Sequence, residues 1–104
     1  MLNSPPIQKA LSRTYARAIA GVPISMAFDY TSGSFYLEYS INLSARGGTE
    51  IFLPKTFYYP RGYTVSIAPD GWARSTEQQQ NLLIITHTSN AIEGQPLTVT
   101  IRSL

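Results

Sequence analysis

Residues 49–63 read TEIFLPKTFYYPRGY, and the fold follows from how this stretch is parsed. Ile51, Phe52 and Leu53 form a short run of strand-favouring residues. Pro54 stops it, because proline brings no N–H to a ladder. An aromatic cluster follows at Phe57, Tyr58 and Tyr59. Pro60-Arg61-Gly62 then supplies a preset φ and a residue free to take positive φ, the requirements of a tight reversal. Tyr63 opens another alternating run, so the parse is strand, aromatic loop, turn, strand. The stretch holds no catalytic nucleophile, no metal-ligand cluster and no phosphate cradle.

Working downstream, Tyr63, Val65 and Ile67 form the inward set of a strand that Pro69-Asp70-Gly71 ends, with Trp72 directly after. Residues 73–80, which include three consecutive glutamines, have no periodicity and read as a solvated excursion. Residues 82–88 (LLIITHT) are a continuous apolar run, the pattern of a central strand buried on both faces. After a turn over residues 89–96, Leu97, Val99 and Ile101 alternate with Thr98, Thr100 and Arg102 as the last strand.

Upstream, Ile24, Met26, Phe28 and Tyr30 alternate with Ser25, Ala27 and Asp29, which predicts a half-buried strand with the apolar set inward. Thr31-Ser32-Gly33-Ser34 is a turn, and Phe35, Leu37, Tyr39 and Ile41 carry the same period onward. The pair is a hairpin; a slip of one residue puts Asp29 and Glu38 into the core. Residues 43–48 (LSARGG) are a loop. Residues 1–8, with Pro5-Pro6, read as a linker or loose terminus. Ile7, Ala10, Leu11 and Ala18 line one side of a short helix that Gly21 and Pro23 would end. The alternative for this part is an extended segment anchored by Tyr15 and Ile19.

At 104 residues the chain is one domain, burying roughly 60–70% of its unfolded surface. Six to eight short strands punctuated by Gly and Pro predict an all-β fold, an antiparallel, immunoglobulin-like β-sandwich over residues 13–104. The net charge is only +2, and the eight basic residues are scattered from Lys9 to Arg102. No basic stripe marks a nucleic-acid partner. No apolar run approaches the ~20 residues of a spanning helix, and the first fifteen residues lack the apolar core of a secretion signal. With no cysteine and one histidine, there is no disulfide framework and almost no material for a transition-metal site. No cofactor is expected.

Among the carboxylates, Asp29 and Glu38 fall on the outward side of the hairpin, where solvated surface is the common fate. Glycoside hydrolysis needs two carboxylates facing each other, ~5–10 Å apart. Glu50, following Gly47-Gly48-Thr49, is placed to accept backbone hydrogen bonds near its loop. His87 shares the alternate set of Leu83 and Ile85 and is expected as a partly buried, hydrogen-bonded strand histidine. The strongest surface signal is aromatic. Tyr36, Tyr58 and Trp72, with Arg61, are the candidates for sugar or lipid contact, since flat rings stack on sugars or settle at headgroups. Tyr15, Ile19, Phe57, Tyr58 and Tyr59 are the candidates for a protein docking face. No catalytic residue is assigned.

The segments RTYARAIAG (13–21), VPISMAFDYTSGSFYLEY (22–39), TEIFLP (49–54), YPRGYTVSI (59–67) and the closing LTVTI (97–101), in that order, resemble the C-terminal β-sandwich domain of glycoside hydrolase family five enzymes of the endoglycoceramidase type. Ala16 stands where the family pattern has a proline. The resemblance implies a non-catalytic accessory domain behind a (β/α)8 barrel that carries both catalytic glutamates and cleaves the bond between a glycan and a lipid. Residues 1–12 would then be the end of the barrel's last helix and the joint. The implied partners are that barrel and a glycolipid or membrane surface, in a secreted or membrane-associated parent. An isolated domain with its docking face bare is expected to self-associate. A free-standing carbohydrate- or glycolipid-binding module using the surface aromatics is the alternative.

Overall fold

The computed structural model of the chain describes residues 14–29, 31–45, 47–54, 58–78 and 81–104. These form eight strands: β1 (Tyr15–Ala18), β2 (Gly21–Phe28), β3 (Phe35–Ile41), β4 (Thr49–Phe52), β5 (Tyr63–Ala68), β6 (Ala73–Glu77), β7 (Leu82–His87) and β8 (Pro96–Ser103). All pair antiparallel, in two sheets of order β1-β4-β7-β6 and β2-β3-β8-β5. This is the predicted sandwich.

The core comes from strict alternation on the inner strands. Phe35, Leu37, Tyr39 and Ile41 of β3 and Leu97, Val99 and Ile101 of β8 are all buried, and the register sets Phe35 against Ile101, Leu37 against Val99 and Tyr39 against Leu97. Ile51 of β4 and Leu83 and Ile85 of β7 face them from the other sheet. Two glycines permit close backbone approach. A Cβ on Gly21 would lie 1.9 Å from the Ser40 carbonyl oxygen, and one on Gly48 2.4 Å from that of Ile85.

The described parts of residues 49–63 follow the predicted parse, with strand β4, a turn closed by the Gly62 N–H to the Tyr59 carbonyl, and strand β5, and Tyr58 and Tyr59 close one end of the sandwich. Tyr58 and Tyr59 are 6% and 2% exposed. Phe28 meets Tyr58 edge-on at 4.9 Å, and Tyr63 meets Tyr59 at 5.7 Å. The Tyr59 hydroxyl donates to the Gly33 carbonyl (2.5 Å). Its proton being so used, the 2.6 Å bond with Thr14 runs from the Thr14 hydroxyl to Tyr59. The relay ties the start of the described chain, the aromatic loop and the β2–β3 turn into one unit.

Four expectations change. Residues 15–18 are strand β1, paired with β4, so Gly21 and Pro23 end no helix there; residues 1–13 lie outside the described residues. Residues 73–77 are an edge strand, β6, whose lack of period reflects solvent on both sides. β7 is central in its sheet, yet only Leu83 and Ile85 are fully buried on it. The largest change is β2. Val22, Ile24 and Met26 are 66%, 55% and 50% exposed, because β2 is an edge strand and its side chains do not keep to one face: Val22 aligns with outward Ser40 and Met26 with inward Leu37. A bulge between Pro23 and Ser25 shifts the register as well.

Candidate binding surfaces

The first surface is the β2 edge. Edges β1 and β2 lie on one side of the sandwich, because the opposite edges β5 and β6 meet through the Tyr63 hydroxyl, which donates to Glu77 Oε1 at 2.6 Å. Burial first, and then this carboxylate, push the Tyr63 phenol far up from its ordinary value. The chain therefore comes into the domain along β1, next to the exposed Val22, Ile24 and Met26. Tyr15, half-buried on β1 against the Phe52 ring at 5.4 Å, and half-buried Ile19 flank the same side.

The second surface is the outer face of the β2-β3-β8-β5 sheet. Register aligns Ala27, Tyr36, Thr100 and Ser66 in one row across it. A cavity of about 540 Å³ opens there, lined by Ala27, Asp29, Ser34, Tyr36, Thr100 and Arg102 among others. The Tyr36 hydroxyl donates to Glu38 at 3.3 Å. Asp29 accepts from the Thr31 backbone N–H (2.8 Å) and the Ser32 hydroxyl (3.0 Å), which hold its carboxyl below the usual range.

The nominated residues do not converge. Tyr58 and Tyr59 fill the core, so their rings offer no face to a partner; packing under the β2–β3 turn has claimed them. Phe57 lies outside the described residues. Trp72 is half-buried against the core, after the last residue of β5, whereas exposed Arg61 precedes the first. Of the aromatic contact candidates, Tyr36 borders the cavity on the outer sheet face. The sequence reading missed the β2 strip, although Pro23 was a signal: proline inside a sheet marks an edge. It also missed Arg102, which alternation marked only as outward.

Three further polar side chains have structural duties. Glu50 pairs with the Arg17 guanidinium at 2.8 Å. Glu93 accepts from the Leu43 backbone N–H at 2.8 Å. His87 Nε2 bonds the Tyr39 hydroxyl at 2.7 Å, and its partial burial lowers the imidazole from its ordinary value. Among the described residues, no cluster of His, Cys, Asp and Glu could hold a metal.

The family model for the glycoside hydrolase family 5 C-terminal domain matches residues 13–101. The chain belongs to this family. An endoglycoceramidase of Hydra vulgaris is 35% identical over 74 residues, covering 70% of this chain and 14% of the relative. One from Cyanea nozakii is 28% identical over 88 residues, 84% of this chain and 17% of the relative. Two solved structures share the fold of this family 5 C-terminal domain. Endo-glycoceramidase II from Rhodococcus sp., as a lactosyl-enzyme intermediate, aligns with TM-score 0.71 and 20% identity over 97% of this chain and 21% of its own. Sterylglucosidase 1 of Cryptococcus neoformans aligns with TM-score 0.71 and 22% identity over 88% of this chain and 14% of its own. The chain thus spans about a seventh to a fifth of the proteins it matches.

Proposed function

We propose that this domain is the non-catalytic C-terminal module of an endoglycoceramidase-like glycosidase, bracing a catalytic barrel that precedes it in a longer polypeptide. One observation carries the reading: the strip of Val22, Ile24 and Met26 lies on the edge along which the chain arrives. An exposed apolar edge strand is a liability for a free domain unless something covers it. A preceding domain, tethered through residues 1–13, is already at high local concentration beside that strip. Tyr15 and Ile19 extend the docking face.

Hydrogen bonds or an ion pair to neighbouring groups occupy Asp29, Glu38, Glu50, Glu77 and Glu93, which supports the non-catalytic part. The decisive experiment is to read the frame upstream of Met1 and, in the polypeptide it encodes, to change Ile24→Lys. We expect a barrel-encoding frame and a Tm for the barrel lowered by the substitution. A frame without a barrel, or a barrel indifferent to Ile24→Lys, refutes the reading. A lipid surface is the competing occupant of the strip, and flotation with anionic liposomes that Ile24→Lys abolishes would select it instead.

A further inference from the structure

We propose that the cavity on the outer face of the β2-β3-β8-β5 sheet is a binding site for a neutral saccharide. Its floor and walls combine an aromatic ring with small side chains and two opposite charges. Tyr36 is half-buried, with Ala27 beside it on β2 and Thr100 beside it on β8, and neither neighbour is large enough to cover a phenol ring. The carbon–hydrogen face of a pyranose is apolar and flat enough to lie on such a ring, while its edge carries hydroxyls that need partners.

The partners are at the rim. Arg102 is exposed, lines the cavity and makes no hydrogen bond or ion pair among the described residues. Asp29, just past the end of β2 on the same cavity, is held in place by Thr31 and Ser32. A carboxylate offers about four acceptor sites, so two accepted bonds leave it capacity for a ligand hydroxyl. The guanidinium donates where the carboxylate accepts, so the two can serve different hydroxyls of one sugar ring. One positive and one negative group leave the groove without net charge, which favours an uncharged ligand over an anionic one. The volume of about 540 Å³ lies within the range of about 300–1,000 Å³ that small-molecule sites occupy.

This site is separate from the docking strip. None of residues 22–26 lines it, and its key side chains sit on β3, β8 and the β2–β3 turn, so either reading survives the loss of the other. The test is ¹H–¹⁵N NMR of the labelled 104-residue chain, titrated with lactose and cellobiose, with glucuronic acid as the charged probe and glycerol as the acyclic one. Expected are saturating shifts at the amides of Ala27, Tyr36, Thr100 and Arg102, with Kd on the order of 1–10 mM, as suits a small ligand on an open groove. Tyr36→Ala and Arg102→Ala should each weaken binding by about tenfold. Arg102 is exposed, so its variant keeps the test valid if Tyr36→Ala fails to fold. Trp72→Ala and Ile24→Lys should leave it unchanged. No saturation by about 50 mM, an equal response to glycerol, preference for the acidic sugar, or binding indifferent to Arg102→Ala overturns the proposal.

Discussion

At the scale of single residues, the polar groups inside this domain act as ties. Tyr59 shows it most directly. Its hydroxyl is buried, donates to the Gly33 carbonyl and accepts from Thr14. Tyr59→Phe keeps the ring but strands both partners, and an unmet buried polar group costs about 1–3 kcal/mol. Urea denaturation should show that loss with an unchanged m-value. His87 predicts a pH dependence. Burial lowers its pKa from 6.5, so the unfolded chain takes up a proton that the folded one resists. Stability from this source is complete above 6.5 and is lost as pH falls toward the folded value. Melting curves between about pH 7.5 and about pH 5, where carboxylates titrate little, should fall more steeply for the native domain than for His87→Gln. Parallel profiles refute this account.

At the scale of elements, legibility depended on whether a strand's environment is written in its own residues. β3, β5 and β8 were legible because one face of each meets the other sheet, and Leu37, Val65 and Val99 mark that face by alternation. β2 has the same alternation in Ile24 and Met26, but the pattern records which side residues share and is silent on whether anything lies opposite. That depends on the bulge between Pro23 and Ser25 and on β2 standing at the edge of its sheet, facts of how the strands pair. β6 hid for the converse reason, since an edge strand wet on both sides needs no period. Tyr58 and Tyr59 were legible as a cluster but not as buried rings, because burial at a loop comes from the turn folded over them. Gly21 gives the element-level prediction. Its missing Cβ lets β2 run against the Ser40 carbonyl, and backbone there cannot step aside as a flexible side chain could. Gly21→Ala should cost about 1–3 kcal/mol or more by overpacking, seen as a lowered Tm; Gly47→Ala, with nothing within 4 Å of its would-be Cβ, carries only the positive-φ strain of its turn.

At the scale of the whole molecule, the two sides of the sandwich are unequal. The β5/β6 side is latched by Tyr63 and Glu77, while the β1/β2 side presents apolar side chains together with the unpaired ladder groups of an edge strand. In isolation that side has one readily available complement, the same edge of a second copy. Two antiparallel β2 strands would join their four-stranded sheets, satisfy the edge and bring the apolar side chains of the two β2 strands together across the seam. Sedimentation of the 104-residue chain should therefore show a concentration-dependent dimer. Ile24→Lys should return it to monomer while leaving the monomer's stability within about 0.5 kcal/mol, because the site is exposed in the folded chain. Tyr36→Ala, on the outer sheet face, should not change the dimer. Attached to a preceding domain the same strip is occupied, so the longer polypeptide should stay monomeric at concentrations where the isolated domain pairs. A strict monomer of the isolated chain at high concentration would mean that solvent tolerates the strip, and the reason for assigning it a partner would go with it.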